Sequence, residues 1–251
     1  MINNKQLETA YKNWLNNTEK CNSPIPHIIH HIWLGSKLPD QYKPFIETFK
    51  KYNPDWQFIL WDEEKILSLQ NFTSKKDYLT ASNYGMKSDI ARYAILKEYG
   101  GFYFDTDFEC LKNLSPISDK SSFISCLQFT DKIEFGNAMI ACCAHHPLIE
   151  KISSSIKGIN SSDILEIINT TGPGFLTNMI MNNISTITEF DALLPAEYFF
   201  AVPNSEKADV RAAKHRYITD NSYAIHYWES SWFQNDLFHR LVRKLKKIFS
   251  K

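Results

Sequence analysis

The stretch Ser82–Leu114, SNYGMKSDIARYAILKEYGGFYFDTDFECLKNL, constrains this chain more than any other. Ile90, Tyr93, Ala94 and Lys97 recur at helical spacing and predict a helix over about Lys87–Tyr99. Gly100-Gly101 stops it, with glycine supplying the left-handed αL conformation at the helix end. Phe102-Tyr103-Phe104 then reads as an apolar strand that runs straight into Asp105-Thr106-Asp107. Side chains alternate along an extended chain, so the carboxylates of Asp105 and Asp107 share a face. Such a pair of hard oxygen donors at a strand's exit suits Mn²⁺ or Mg²⁺ and leaves coordination positions open for phosphate oxygens. By themselves, acidic pairs in loops are most often solvated turns or helix caps. Asp89 and Arg92, at i and i+3, share a face of the preceding helix. As a surface ion pair they would contribute roughly 0.2–0.5 kcal/mol. Aimed into a crevice, they would instead meet a sugar's hydroxyls or a phosphate. Spacing leaves both readings open.

The 251 residues suit one α/β domain, with or without a small appendage. An apolar share of 43% supports a real core. A formal net charge of zero gives no electrostatic reason to expect nucleic acid. The five cysteines, Cys21, Cys110, Cys126, Cys142 and Cys143, form no Cys-X-X-Cys pair and read as reduced structural thiols of a cytoplasmic protein. Residues 1–24 read as a polar, partly helical leader without the apolar run of a secretory signal. No stretch is long and apolar enough to span a bilayer.

The domain proper is expected over residues 25–234. It opens with the strand-like His27–Trp33, whose three histidines on a buried strand read as packing or hydrogen-bonding groups before metal ligands. A helix over Pro44–Tyr52 and a strand over Trp56–Trp61 follow, giving half of a nucleotide-binding α/β unit. Neither Gly-X-Gly-X-X-Gly nor a P-loop is present, so phosphate must be held by metal and side chains. Ser122–Phe129 and Asn137–Cys143 read as further strands, and Thr170-Thr171-Gly172-Pro173-Gly174 as a breaker between helices at 161–169 and 175–183. A short apolar strand at Ala224-Ile225-His226 leads into Tyr227-Trp228-Glu229-Ser230-Ser231-Trp232.

SDIARYAILKEYGGFYFDTDFECLKNL resembles the signature of glycosyltransferase family 32, the group of Och1-type mannosyltransferases and bacterial capsule and lipopolysaccharide sugar transferases. It is also similar to the catalytic domain of the large clostridial glucosylating toxins. The resemblance spans roughly Ile25–Trp232 and is looser after Asp107. It implies a single GT-A-type α/β domain, a mixed, mostly parallel sheet flanked by helices. The implied reaction is retaining transfer of a hexose from a nucleotide sugar, UDP-hexose before GDP-mannose, to a glycan hydroxyl in bacterial surface-polysaccharide synthesis, on a lipid-linked acceptor. Asp105, Asp107 and His226 would hold Mn²⁺ or Mg²⁺, with the imidazole favouring Mn²⁺, and Glu229 is an alternative to His226. Asp105, Asp107, Asp89 and Arg92 would form the catalytic group. Trp33 would stack on the base, and Asp89, Arg92, Asp105, Asn137, Ser230 and Trp232 would touch the donor. Against each stands a plainer role: Trp33 in the core, Asn137 at a turn, His226 structural.

A toxin-like protein glycosyltransferase, a metal-dependent phosphohydrolase and a non-catalytic nucleotide-sugar-binding module are the alternatives. The second lacks a nucleophilic Asp near the start or a larger His/Asp cluster. At the other end, residues 235–251 place Leu237, Phe238, Leu241, Leu245, Ile248 and Phe249 at helical spacing opposite Arg240, Arg243, Lys244, Lys246, Lys247 and Lys251. Such a basic amphipathic helix either docks on the domain or lies peripherally on anionic lipid at the inner face of the cytoplasmic membrane.

Overall fold

The computed structural model describes residues 4–161 and 163–229. Its strands are β1 (Ile28–Ile32), β2 (Gln57–Trp61), β3 (Gly101–Phe104), β4 (Phe108–Cys110), β5 (Phe123–Leu127), β6 (Phe135–Cys142), β7 (Asp191–Leu194) and β8 (Ala224–His226). The β-branched run of β1 lies between two parallel neighbours, with Ile28 opposite Gln57 of β2 and Ile29 opposite Phe102 of β3. The chain leaves β1 toward β2 on one side and returns to β3 on the other. The carboxyl ends of β1 and β3 therefore bound the crevice where such sheets bind ligands. Trp33 follows the first strand and Asp105 the second.

The main sheet runs β2-β1-β3-β6-β5-β7. Only β6 is reversed, pairing antiparallel with both β3 and β5, while β7 is parallel to β5. The sheet is thus mixed and mostly parallel, as expected, with helices on both sides. A two-stranded antiparallel sheet joins β4 to β8 and sets Phe108 opposite His226.

The helix before β3 runs Tyr84–Tyr99, starting earlier than its periodicity predicts because Asn83 Oδ1 accepts the Met86 N–H at 2.9 Å. It is also more enclosed than a one-faced pattern implies. Every residue from Asp89 to Leu96 is buried, so polar Asp89 and Arg92 lie inside. The surface ion-pair reading is corrected by that wrapping. Gly100 does have positive φ (64°), but its ψ of −155° is extended rather than the αL value expected. At that geometry a Cβ would meet Ala144 N at 2.6 Å, and one on Gly101 (φ 90°) would meet Ile28 O at 2.6 Å. Both positions require glycine for backbone angle and for space.

The polar N-terminal stretch contains the helix Lys5–Asn16, capped by Asn4. Its Leu7 and Trp14 are buried, Trp14 Nε1–H donates to Ser121 Oγ at 2.9 Å, and the Tyr11 and Tyr198 hydroxyls lie 3.1 Å apart. The histidines of β1 are structural. His30 Nε2–H donates to Gly100 O at 2.8 Å, while its Nδ1 accepts Trp61 Nε1–H at 3.1 Å. His31 Nδ1–H donates to Phe104 O at 2.9 Å. Burial pushes both imidazoles down to about 4, so both are neutral near pH 7. No helix among the described residues is long and apolar enough to cross a membrane. Ser230, Trp232 and the 235–251 segment lie outside the described residues.

Candidate active site

Asp105-Thr106-Asp107 is a turn rather than a strand continuation, because pairing with β6 stops at Phe104 opposite Met139. Backbone bonds then fix it from two sides. Asp105 N–H donates to Ala138 O at 2.8 Å, and Tyr227 N–H donates to Asp107 O at 3.0 Å. The β4–β8 pairing brings His226 to the same corner. Suitable ligand atoms of Asp105, Asp107 and His226 lie within 4.8 Å of one another. His226 Nε2 is 3.3 Å from Asp107 Oδ2, which also accepts the Glu229 N–H at 2.7 Å. The His226 ring stacks on Phe108, centroids 4.6 Å apart at 12°. Its Nδ1 is buried without a hydrogen-bond partner among the described residues.

The other wall of the cleft is an interior polar network. Arg92 Nη2 lies 2.9 Å from Asp89 Oδ1 and 3.5 Å from Asp105 Oδ1. Arg92 Nε–H donates to Ser88 O at 3.3 Å, Nη1–H donates to Asn137 O, and the guanidinium lies 4.4 Å over the Tyr103 ring. Most of its donors are therefore spent inside the protein. Asp89 also accepts from Asn137 Nδ2 at 2.8 Å and Thr171 Oγ1 at 2.9 Å. Burial pushes Asp89 up to about 6, against Arg92, Thr171 and Asn137, which favour its charged form. Tyr103 donates its hydroxyl proton to Asp105 Oδ1 at 2.5 Å. Asp105, partly exposed in the cleft, is raised above the usual carboxylate range by partial loss of hydration and then by neighbouring Asp107, while Arg92 pulls it down.

Trp33 lines the cleft, half-buried and tilted against Tyr42 at 4.9 Å, with Nε1–H donating to Ser36 Oγ at 3.1 Å. Gly172 and Pro173 also line the cleft. Asn137 lies at the wall with its amide turned to Asp89. Sequence reasoning missed Tyr103 and Tyr84 in the cleft, and the hydrogen bond from Thr171 to Asp89. Tyr103 was hidden in an apolar strand, and the Thr171 bond joins residues 82 apart in the chain. Asp89, Asp105, Asp107 and Glu229 all line the cleft, and Arg92 is the only lysine or arginine among its described lining residues. An anionic diphosphate needs added positive charge to enter. Two carboxylates and an imidazole fit a hard or borderline divalent cation.

Residues 39–124 match the family described as "Glycosyltransferase sugar-binding region containing DXD motif", and Asp105-Thr106-Asp107 supplies the motif. Inositol phosphoceramide mannosyltransferase 1 of Schizosaccharomyces pombe is 31% identical over 190 residues, covering 72% of this chain and 59% of that protein. Mannosyl phosphorylinositol ceramide synthase SUR1 of Saccharomyces cerevisiae is 29% identical over 163 residues, covering 61% and 41%. The chain spans less than two thirds of the length of either relative. The solved structure of PaToxG glycosyltransferase aligns with TM-score 0.50 and 22% identity over 72% of this chain and 75% of that one, a likeness of fold and the GT-A arrangement. Over residues 39–124 the chain thus carries a glycosyltransferase sugar-binding region with its DXD motif, and it is similar to the two mannosyl-transferring relatives over 72% and 61% of its length.

Proposed function

We propose that the chain transfers a hexose from a nucleoside diphosphate sugar to an acceptor hydroxyl, with retention at the anomeric carbon. The observation that carries this reading is the convergence of Asp105, Asp107 and His226 within 4.8 Å at the mouth of an otherwise acidic cleft. These three residues would hold a divalent cation, Mn²⁺ before Mg²⁺, which would offset the charge of the departing nucleoside diphosphate. Arg92 fixes Asp105 and the Asp89 carboxylate in place, so little reorganisation is left for the reaction itself. Asp89 is held by the Arg92 ion pair and two hydrogen bonds, and so serves poorly as a nucleophile. Attack by the acceptor hydroxyl therefore comes on the leaving-group face through an oxocarbenium-like state. The bond from the anomeric carbon to the diphosphate breaks, the new glycosidic bond forms, and the hydroxyl proton passes to a leaving phosphate oxygen.

Mannose is the first sugar to test, because both fungal relatives are mannosyl-transferring enzymes by name. Their names refer to inositol phosphoceramide and to mannosyl phosphorylinositol ceramide, which supports a hydroxyl on a lipid-linked headgroup as the acceptor here. Bacterial surface-polysaccharide synthesis draws no support from these relatives. A panel of UDP- and GDP-sugars with Mn²⁺ tests the reading. One donor should release its nucleoside diphosphate in a metal-dependent manner, and faster when acceptor is present. Silence across the panel, with the protein folded, contradicts it.

A further inference from the structure

Trp228 lines the cleft half-buried, with a backbone φ of 58°. An aromatic residue in the left-handed region is an outlier that its surroundings must hold. Tyr227 N–H donates to Asp107 O at 3.0 Å, Glu229 N–H to Asp107 Oδ2 at 2.7 Å, and Trp228 Nε1–H to Val202 O at 2.9 Å. The backbone N–H groups of the residues on either side of Trp228 thus both close on Asp107, and the turn sets the indole against the His226 ring, centroids 4.4 Å apart.

With its N–H given to Val202, the indole offers only carbon and π surface. Phe129, from the loop joining β5 to β6, lies nearly parallel to it (16°), with centroids 6.2 Å apart. Lys132 Nζ lies 4.0 Å over the Phe129 ring. The loop is closed by Gln128 N–H donating to Glu134 O at 2.9 Å. A phosphate gains little from such a wall. The C–H face of a pyranose gains more, being apolar and polarised toward π electrons. The other aromatics of the cleft are placed elsewhere: Tyr103 lies under Arg92, and Tyr84 packs on Gly35 beside Trp33, so closely that a Cβ there would lie 2.5 Å from its ring.

We propose that Trp228, with Phe129 beside it, is the platform on which a hexopyranose acceptor stacks beside the Asp105–Asp107–His226 corner. This rests on the transferase reading above, and it adds a residue that couples acceptor position to Asp107 through the backbone. Two variants test it. Trp228→Gly removes the ring and suits the left-handed backbone, whereas Trp228→Phe keeps an aromatic face. The probes are methyl α-mannopyranoside and methyl β-galactopyranoside, added with UDP or GDP and Mn²⁺ and followed by saturation-transfer NMR from aromatic protons. Saturation should reach the ring protons of at least one hexoside, fall at least fivefold in Trp228→Gly and persist in Trp228→Phe. Nucleotide affinity should change less than threefold in both variants. Unchanged transfer in Trp228→Gly, no transfer to either hexoside in the parent protein, or lost nucleotide affinity in Trp228→Gly overturns the platform. Failure of the parent protein to bind either nucleotide overturns the transferase reading instead.

Discussion

Asp89 and Asp107 line one cleft, yet the fold treats their charges in opposite ways. Asp89 receives a guanidinium from its own helix, an amide from β6 and a hydroxyl from the loop before Pro173. Asp107 receives one backbone N–H and the edge of an imidazole, with Asp105 beside it. The first is a wall whose partners come with the chain, and the second, among the described residues, keeps unbalanced negative charge at a point where ligand atoms converge. The histidines repeat the contrast. His30 has both ring nitrogens engaged in the core, whereas His226 has one nitrogen at Asp107 and the other without a partner among the described residues. On the proposed reading, charge that the protein balances itself is scaffold, and charge that it leaves unbalanced is reserved for something that binds.

The contrast breaks first at Asp107. Asp107→Asn should lower metal-dependent turnover more than about a hundredfold. Its melting temperature without metal should stay level or rise slightly, because one of two adjacent like charges is gone. A large loss of stability would move Asp107 to the scaffold side. Arg92→Met should behave in reverse, costing about 3–5 kcal/mol in urea unfolding by leaving Asp89 buried and uncompensated. Adding Asp89→Asn to it should recover part of that loss, and a cost under about 1 kcal/mol for Arg92→Met alone would show the wall to be loosely held.

The pH dependence sharpens the same division. In the unfolded chain the His30 and His31 imidazoles take up a proton near 6.5, but in the fold only near about 4. Their contribution is therefore complete above 6.5 and is lost as pH falls toward 4. Each imidazole is worth up to about 3 kcal/mol at about 1.36 kcal/mol per pKa unit. Asp89, raised from 3.8 to about 6, and Asp105, also raised, work the other way across that window and reduce the slope. Unfolding free energies measured from pH 7 to 4 should fall, and a flat profile would contradict the neutral-core assignment. The smallest effect is expected at Trp33: Trp33→Ala should cost roughly 1–3 kcal/mol of nucleotide affinity if the indole stacks on the base. Intact affinity with a lowered melting temperature would place Trp33 in the scaffold.

The sequence carried the local parts of this picture legibly. Helical spacing, Gly100-Gly101 and the Phe102–Asp107 run placed helix, strand and acidic turn within a few residues of where they lie. The first three strands were readable for the same reason, since each is a short apolar or β-branched run between breakers. What was not readable depends on pairing across long separations. Nothing near Phe108 announces that β4 meets β8, yet that pairing brings His226 to Asp107. Burial of the Asp89–Arg92 pair was hidden likewise, because enclosure comes from Asn137, Thr171 and Tyr103 arriving from other elements. The Gly100 conformation departed from expectation because the chain must pass Ala144 closely before entering β3, a tertiary demand rather than a helix-capping one.

The central claim is that Asp105, Asp107 and His226 form a cation site that receives a nucleoside diphosphate. Calorimetric titration of the protein with Mn²⁺, alone and with UDP or GDP, tests it most directly. One Mn²⁺ should bind per chain, at least tenfold more tightly with the nucleotide present, and Asp107→Asn should lose both the binding and the coupling. Mn²⁺ affinity unchanged in Asp107→Asn, or nucleotide binding indifferent to Mn²⁺, would contradict the account.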